Sequence, residues 1–210
     1  MQRVLTLLAL LPWTLFLWAL PASAANGLES LDRFYGEVKA FHARFDQVVL
    51  DEDRNTVDTA QGEVWIQRPG RFRWNYDPPD AQEIVGDSRK LWIYDIELEQ
   101  VTVRDQAQAL GRSPAILLAG KGDYKAAYNV RDGGGKNGID WAILRPKDEE
   151  SGFTEVRIGF KGPTLEIMEL QDTLGQTTRI IFREVEENSA TGGRFVFVPP
   201  RGVDIINETE

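Results

Sequence analysis

The chain has 210 residues, no cysteine, a single histidine and a formal net charge of −9. An acidic chain repels phosphate backbones and anionic lipid headgroups, which argues against nucleic acid and against charge-driven membrane binding. Without cysteine there is no disulfide framework, no thiolate metal cluster and no attachment point for a covalent lipid.

Residues 1–24 read as an address. Arg3 supplies a positive start, and residues 4–20 are apolar apart from Thr6, Pro12 and Thr14. Ala22-Ser23-Ala24 then forms a small-residue cleavage site ahead of Ala25. A membrane anchor competes with this reading, because a run of 17 such residues reaches the short end of the spanning range. Pro21 and the Ala-Ser-Ala triplet favour cleavage. Removal leaves residues 25–210 as one expected domain, and because Arg3 is the only charged residue lost, its net charge is −10. A chain of that size buries roughly 70% of its unfolded surface.

Asn26 followed by Glu29 has the form of a capping box. Leu28, Leu31, Tyr35 and Val38 recur at three and four, predicting an amphipathic helix over 28–38. After Lys39 the period becomes two, with Phe41, Ala43 and Phe45 alternating against His42, Arg44 and Asp46. Further strands are predicted over 59–67, 71–76, 82–86, 90–94 and 99–104, with turns at Asp77-Pro78-Pro79-Asp80 and Gly86-Asp87-Ser88. A short helix over 113–119 has Pro114 in its first turn, Ile116, Leu117 and Leu118 inside, and Gly120 as a stop. Strands resume over 127–131, 139–145, 153–160, 164–172, 176–184 and 194–198, separated by Gly133-Gly134-Gly135, Lys161-Gly162-Pro163 and Leu174-Gly175. About eleven strands, with no helix between consecutive ones, imply a mainly β fold. The expectation is an antiparallel meander that nearly closes into a barrel, with helices over its mouth.

The motifs of catalysis are incomplete. Gly111-Arg112-Ser113-Pro114-Ala115 approaches a nucleophile elbow but lacks its last glycine. Pro114 also removes the amide of the oxyanion hole, and His42 is the sole candidate base. Asp51, Asp53 and Asn55 match the start of a calcium loop, whereas Thr56 and Gly62 replace the turn glycine and the bidentate glutamate; a polar hairpin tip is expected instead. Gly133-Gly134-Gly135-Lys136 lacks the spacing of a phosphate loop. No catalytic residue, metal or cofactor is indicated.

The strand over 71–76 carries the strongest signal. Phe72, Trp74 and Tyr76 fall on one face and Arg71, Arg73 and Asn75 on the other, with Arg68 just before the Pro69-Gly70 turn. Such an aromatic wall must be covered. On pattern alone, packed core and an apolar ligand explain it equally well.

A wider set of motifs resembles the periplasmic outer-membrane lipoprotein carrier family, LolA. They are Phe41-His42-Ala43-Arg44-Phe45-Asp46-Gln47, Gly62-Glu63-Val64-Trp65-Ile66-Gln67-Arg68-Pro69 with Phe72-Arg73-Trp74, and Leu91-Trp92-Ile93-Tyr94-Asp95. Glu99-Gln100-Val101-Thr102 and the stretch from Phe195 to Pro199-Pro200-Arg201-Gly202-Val203 follow in the same order. The likeness spans nearly all of 26–206, with Ala115 and Ile116 smaller than the lid residues of some relatives. It implies an unclosed eleven-stranded barrel and a monomeric carrier in the periplasm. The apolar cavity would receive lipoprotein acyl chains and be lined by Leu31, Tyr35, Phe41, Phe72, Trp74, Ile116 and Leu117. Arg68 would close the helical lid by hydrogen-bonding carbonyls at a helix end, where the dipole favours a cation. The implied partners are an inner-membrane ABC transporter that hands over cargo and an outer-membrane receptor, LolB, that accepts it. A lipid-sensing regulatory domain with the same barrel is the alternative expectation. The lipid-anchored receptor itself is disfavoured, since Ala25 stands where its cysteine would be.

Overall fold

The computed structural model describes residues 26–107, 114–120, 124–148, 151–190 and 192–208; the leader at 1–24 and the Gly111-Arg112-Ser113 part of the elbow-like motif lie outside the described residues. Among the described residues there are three helices: α1 (Gly27–Glu37), α2 (Pro114–Ala119) and α3 (Tyr124–Ala127). The first half of the sheet consists of β1 (Ala40–Leu50), β2 (Thr56–Gln67), β3 (Arg71–Tyr76), β4 (Gln82–Asp87), β5 (Lys90–Asp95) and β6 (Gln100–Asp105). The second half consists of β7 (Tyr128–Lys136), β8 (Ile139–Pro146), β9 (Phe153–Lys161), β10 (Thr164–Asp172), β11 (Thr177–Glu187) and β12 (Asp204–Glu208).

These twelve strands form one sheet in the order β12-β6-β5-β4-β3-β2-β1-β11-β10-β9-β8-β7. Two antiparallel meanders join where β1 pairs with β11. The barrel is unclosed, with β7 and β12 as its edges. Alternation along the strands turns Phe41, Ala43 and Phe45, Val64 and Ile66, Phe72 and Trp74, and Ile180 and Phe182 inward, all of them buried. Helix α1 lies over β7–β10 and α2 over β2 and β3, so the two helices cover different halves of the concave face.

The Asn26 side chain accepts a hydrogen bond from the Glu29 amide at 2.8 Å and caps α1, as its spacing predicts. The buried stripe is fuller than the predicted one. Phe34, which completes the i, i+3, i+4, i+7 set with Leu31, Tyr35 and Val38, is fully buried. The hairpin tip after β1 is also as expected, with Asp51 accepting from both the amide and the side chain of Asn55.

Three expectations are corrected. The last of the twelve strands is not 194–198 but β12, which pairs in parallel with β6. The 194–198 alternation is real but is spent on packing across the outer face of the sheet. Phe195 is buried beside Arg71, and Phe197 packs on Trp92 and Tyr94 at ring distances of 5.6 and 6.0 Å, while Val196 and Val198 point to water. Gly133-Gly134-Gly135 is not a turn but a bulge inside β7 opposite Trp141. A Cβ at Gly133 would lie 2.8 Å from that of Trp141, and Gly134 has φ +72, so small residues are needed within the strand. The turn falls instead at Asn137-Gly138. Helix α3 takes the place of the start predicted for the next strand.

Close approach of backbones seats α1. A Cβ on Gly27 would stand 2.1 Å from the Trp141 carbonyl oxygen of β8. Gly27→Ala is therefore expected to lift the first turn of α1 from the sheet at ~1–3 kcal/mol. For a chain of this size that lowers the thermal midpoint by roughly 2–12 °C. Calorimetry checks this, and an unchanged midpoint would show that the contact does not hold α1.

Candidate functional site

The site begins where β2 ends. Pairing of β2 with β1 and β3 carries the chain to the mouth of the barrel, and Arg68, one residue beyond the strand, turns inward with 9% of its surface exposed. Its Nη1 donates to the Phe34 carbonyl at 3.1 Å and to the Val38 carbonyl, and its Nη2 donates to the Leu118 carbonyl of α2 at 2.7 Å. The guanidinium also sits over the rings of Phe34 and Tyr35, 4.3 and 4.9 Å from their centroids.

Helix α1 has no basic residue in its last turn, so this distant arginine supplies the positive charge that a helix C-terminus favours. Burial pulls the Arg68 pKa down to about 10, opposed by Tyr35 and Glu187, and the group remains a cation at neutral pH.

Helix α2 is held through its last turn. The Tyr35 hydroxyl donates to the Leu117 carbonyl at 2.9 Å, Arg68 to that of Leu118, and the Gly70 amide to that of Ala119 at 2.8 Å. Helix α1 has further ties of its own. Arg33 donates to the Pro163 carbonyl at 2.6 Å and to the Glu187 carboxylate at 2.8 Å, and the Ser30 hydroxyl donates to the Gly162 carbonyl. From α3, the Tyr124 hydroxyl and the Lys125 ammonium both reach Asp32 at 2.6 Å, and the Tyr124 ring stacks on Tyr35 at 4.6 Å.

Beneath the helices the aromatic rings interlock. Phe34 meets Phe41 edge-on at 5.8 Å, Phe41 meets Phe182 at 5.6 Å, and Trp74 packs against Phe45 at 4.7 Å and Phe182 at 6.4 Å. Of the residues the sequence points to, Leu31, Tyr35, Phe41, Phe72, Trp74 and Ile116 are buried in one apolar cluster, with Leu117 packed against it. The wall is thus covered by the protein's own helices. Sequence reasoning passes over Phe34, Phe182, Tyr124 and the Gly70 amide. The first two were within reach of periodicity, whereas the others act through contacts far apart in the chain.

His42 lies on the outer face, stacked on Trp65 with Glu63 3.3 Å away. Among the described residues no group of three or more His, Cys, Asp or Glu is placed to hold a metal.

An unclosed β-barrel whose apolar concave face is roofed by helices, with one arginine donating to main-chain carbonyls of two of them, defines the class of protein. The chain belongs to the outer membrane lipoprotein carrier protein LolA family, which it matches over residues 36–197. A relative from Methylobacillus flagellatus, named outer-membrane lipoprotein carrier protein, is 44% identical over 185 residues, covering 88% of this chain and 90% of its own. One of the same name from Nitrosospira multiformis is 42% identical over 195 residues, with 92% and 94% covered. Among solved structures, an uncharacterized conserved protein from Thermus thermophilus superposes with a TM-score of 0.54 at 12% identity, over 86% of this chain and 96% of that one, and shares the fold.

The α1–α3 tie gives a pH prediction. The Asp32 carboxyl is held below its ordinary value, first by the hydrogen bond from Lys125 and then by that from Tyr124. A carboxyl depressed on folding stabilises above its unfolded pKa, and that stability disappears as pH falls through the folded value. Acid titration should therefore loosen α1 from α3, read as lower amide protection factors in both helices once the intrinsic exchange rate at each pH is divided out. Asp32→Asn should flatten that acid limb, and an unchanged limb would refute the assignment.

Proposed function

We propose that this protein is a periplasmic carrier of lipoproteins. Residues 1–24 direct its export and are removed, leaving residues 25–210 as a monomeric carrier domain. It takes lipoproteins released from the inner membrane by an ABC transporter and shelters their acyl chains against the concave apolar face. It then passes them to an outer-membrane receptor, LolB. The observation that carries this reading is the Arg68 latch. A broad aromatic wall lies beneath two helices whose apolar faces join its core and whose carbonyls accept hydrogen bonds from this one arginine. The family match over residues 36–197 favours this over a regulatory domain of the same barrel.

Physical chemistry makes such a carrier necessary. An acyl chain of about 14 methylenes costs ~11 kcal/mol to expose to water, at ~0.8 kcal/mol for each methylene. The concave wall replaces the bilayer during the crossing. Leu31, Tyr35, Phe41, Phe72, Trp74, Ile116 and Leu117 are proposed to line the space that opens when the lid lifts. Arg68 is proposed to return the lid, because closure restores acceptors to a buried cation and re-covers the rings. The closed state therefore competes with bound cargo and drives release. No catalytic step is part of this cycle, and no cofactor is required.

The test is detergent-free release of a lipoprotein from inner-membrane vesicles, followed by transfer to membranes bearing the receptor. Wild-type protein should do both. Arg68→Leu should still load but transfer at least tenfold more slowly, and normal transfer by that variant would discard the latch. Phe72→Ala or Trp74→Ala should reduce loading, each costing ~3–5 kcal/mol of packing, so thermal midpoints must be measured alongside. Loading unaffected in a folded variant would place the chains elsewhere.

A further inference from the structure

The last turn of α2 offers three consecutive carbonyls, Leu117, Leu118 and Ala119, to three donors that all belong to other parts of the chain. The donors are a phenol, a guanidinium and a main-chain amide, and they share one place at the barrel mouth.

These donors are fixed independently of α2. Tyr35 rides on α1, which is tied to the β9–β10 turn by Ser30 and Arg33, to β11 by Arg33 and to α3 by Asp32. Its ring is held between Tyr124 and the Arg68 guanidinium. Arg68 keeps its bonds to Phe34 and Val38 whatever α2 does. Gly70 belongs to the tight turn between β2 and β3, where Gln106 donates to its carbonyl at 2.7 Å. When α2 lifts, all three donors remain at the rim of an apolar space, each without its acceptor. A buried donor left unmatched is costly, so an occupant that brings carbonyls is favoured over one that does not. The Tyr35 hydroxyl is a donor throughout, because burial pushes its pKa upward and it does not ionise.

Resting on the carrier reading above, we propose that Tyr35 Oη, Arg68 Nη2 and Gly70 N form a recognition site for the carbonyls of acyl linkages. These are the esters and amides at the head of each lipid chain, and the last turn of α2 occupies the site as an internal substitute until cargo arrives. The hydrocarbon then runs inward over Phe41, Phe72 and Trp74 while its carbonyl stays at the mouth. Cargo and lid compete for the same hydrogen bonds. Loading and opening are thereby coupled in atomic detail, and an acyl chain is distinguished from an alkyl chain of equal length.

The experiment compares two fluorescent monoglyceride probes of identical chain and headgroup, one ester-linked and one ether-linked, binding to the intact protein. The ratio of their affinities within one variant cancels the lid's own equilibrium. Wild-type protein should favour the ester about tenfold or more, and Tyr35→Phe, which keeps the ring and its stack, should cut that ratio by about fivefold. Saturating ester should also speed amide exchange in α2 while leaving α1 protected. Equal affinity for ester and ether, an unchanged ratio in Tyr35→Phe, or unaltered exchange in α2 would each overturn the site. If ester and ether bind equally and displace one another, the carrier reading stands and the carbonyl site falls. If neither binds, both fall.

Discussion

A guanidinium withdrawn from water must be given acceptors, and those of Arg68 are main-chain carbonyls on α1, at its end and on α2. Among the described residues no carboxylate hydrogen-bonds this group, so helix dipoles and aromatic faces hold the charge. Burial lowers its pKa to about 10, because these groups replace water incompletely. That incompleteness suits the proposed lid. A full ion pair would lock it, and an uncharged residue would give it no reason to return.

The two covering helices differ in how they are held. Helix α1 is bound through side chains reaching β11, the β9–β10 turn and α3, and through a backbone approach at Gly27 that admits no side chain. Among the described residues, the polar ties of α2 to the barrel run through carbonyls of its last turn. Six residues of helix have little stability of their own. In the proposed cycle this division makes α1 the fixed cover and α2 the exchangeable one, both sharing a single arginine. The outer face has a counterpart: residues 194–198 cross β3 to β5 on Phe195 and Phe197 before the chain adds β12 to the edge. This strap covers the outer face of the half of the sheet whose inner face lies under α2.

Much of this was legible in the chain itself. Strict alternation located β3 and placed Phe72 and Trp74 inside, Asn26 and Glu29 located the start of α1, and Pro114 and Gly120 bracketed α2. These are local matters, decided by side-chain period, capping and missing amides. Motif order indicated the family and singled out Arg68. The errors lie where a local pattern serves a distant contact. Three glycines mark a turn only if nothing faces them, and here Trp141 does. Alternation over 194–198 mimics a strand because its two phenylalanines are spaced to fit between aromatic residues of β5 and the flank of β3.

By itself, then, the sequence determined which faces are greasy, where most strands and both covering helices lie, and that one arginine stands at a turn beside an aromatic wall. Only the tertiary structure decided what that arginine touches, that Tyr35 and Gly70 share its task, and which helix is anchored. Periodicity records the direction of each side chain relative to its own element. Partnership between groups 34, 50 or 82 residues apart depends on how the elements cross, and no local pattern encodes that.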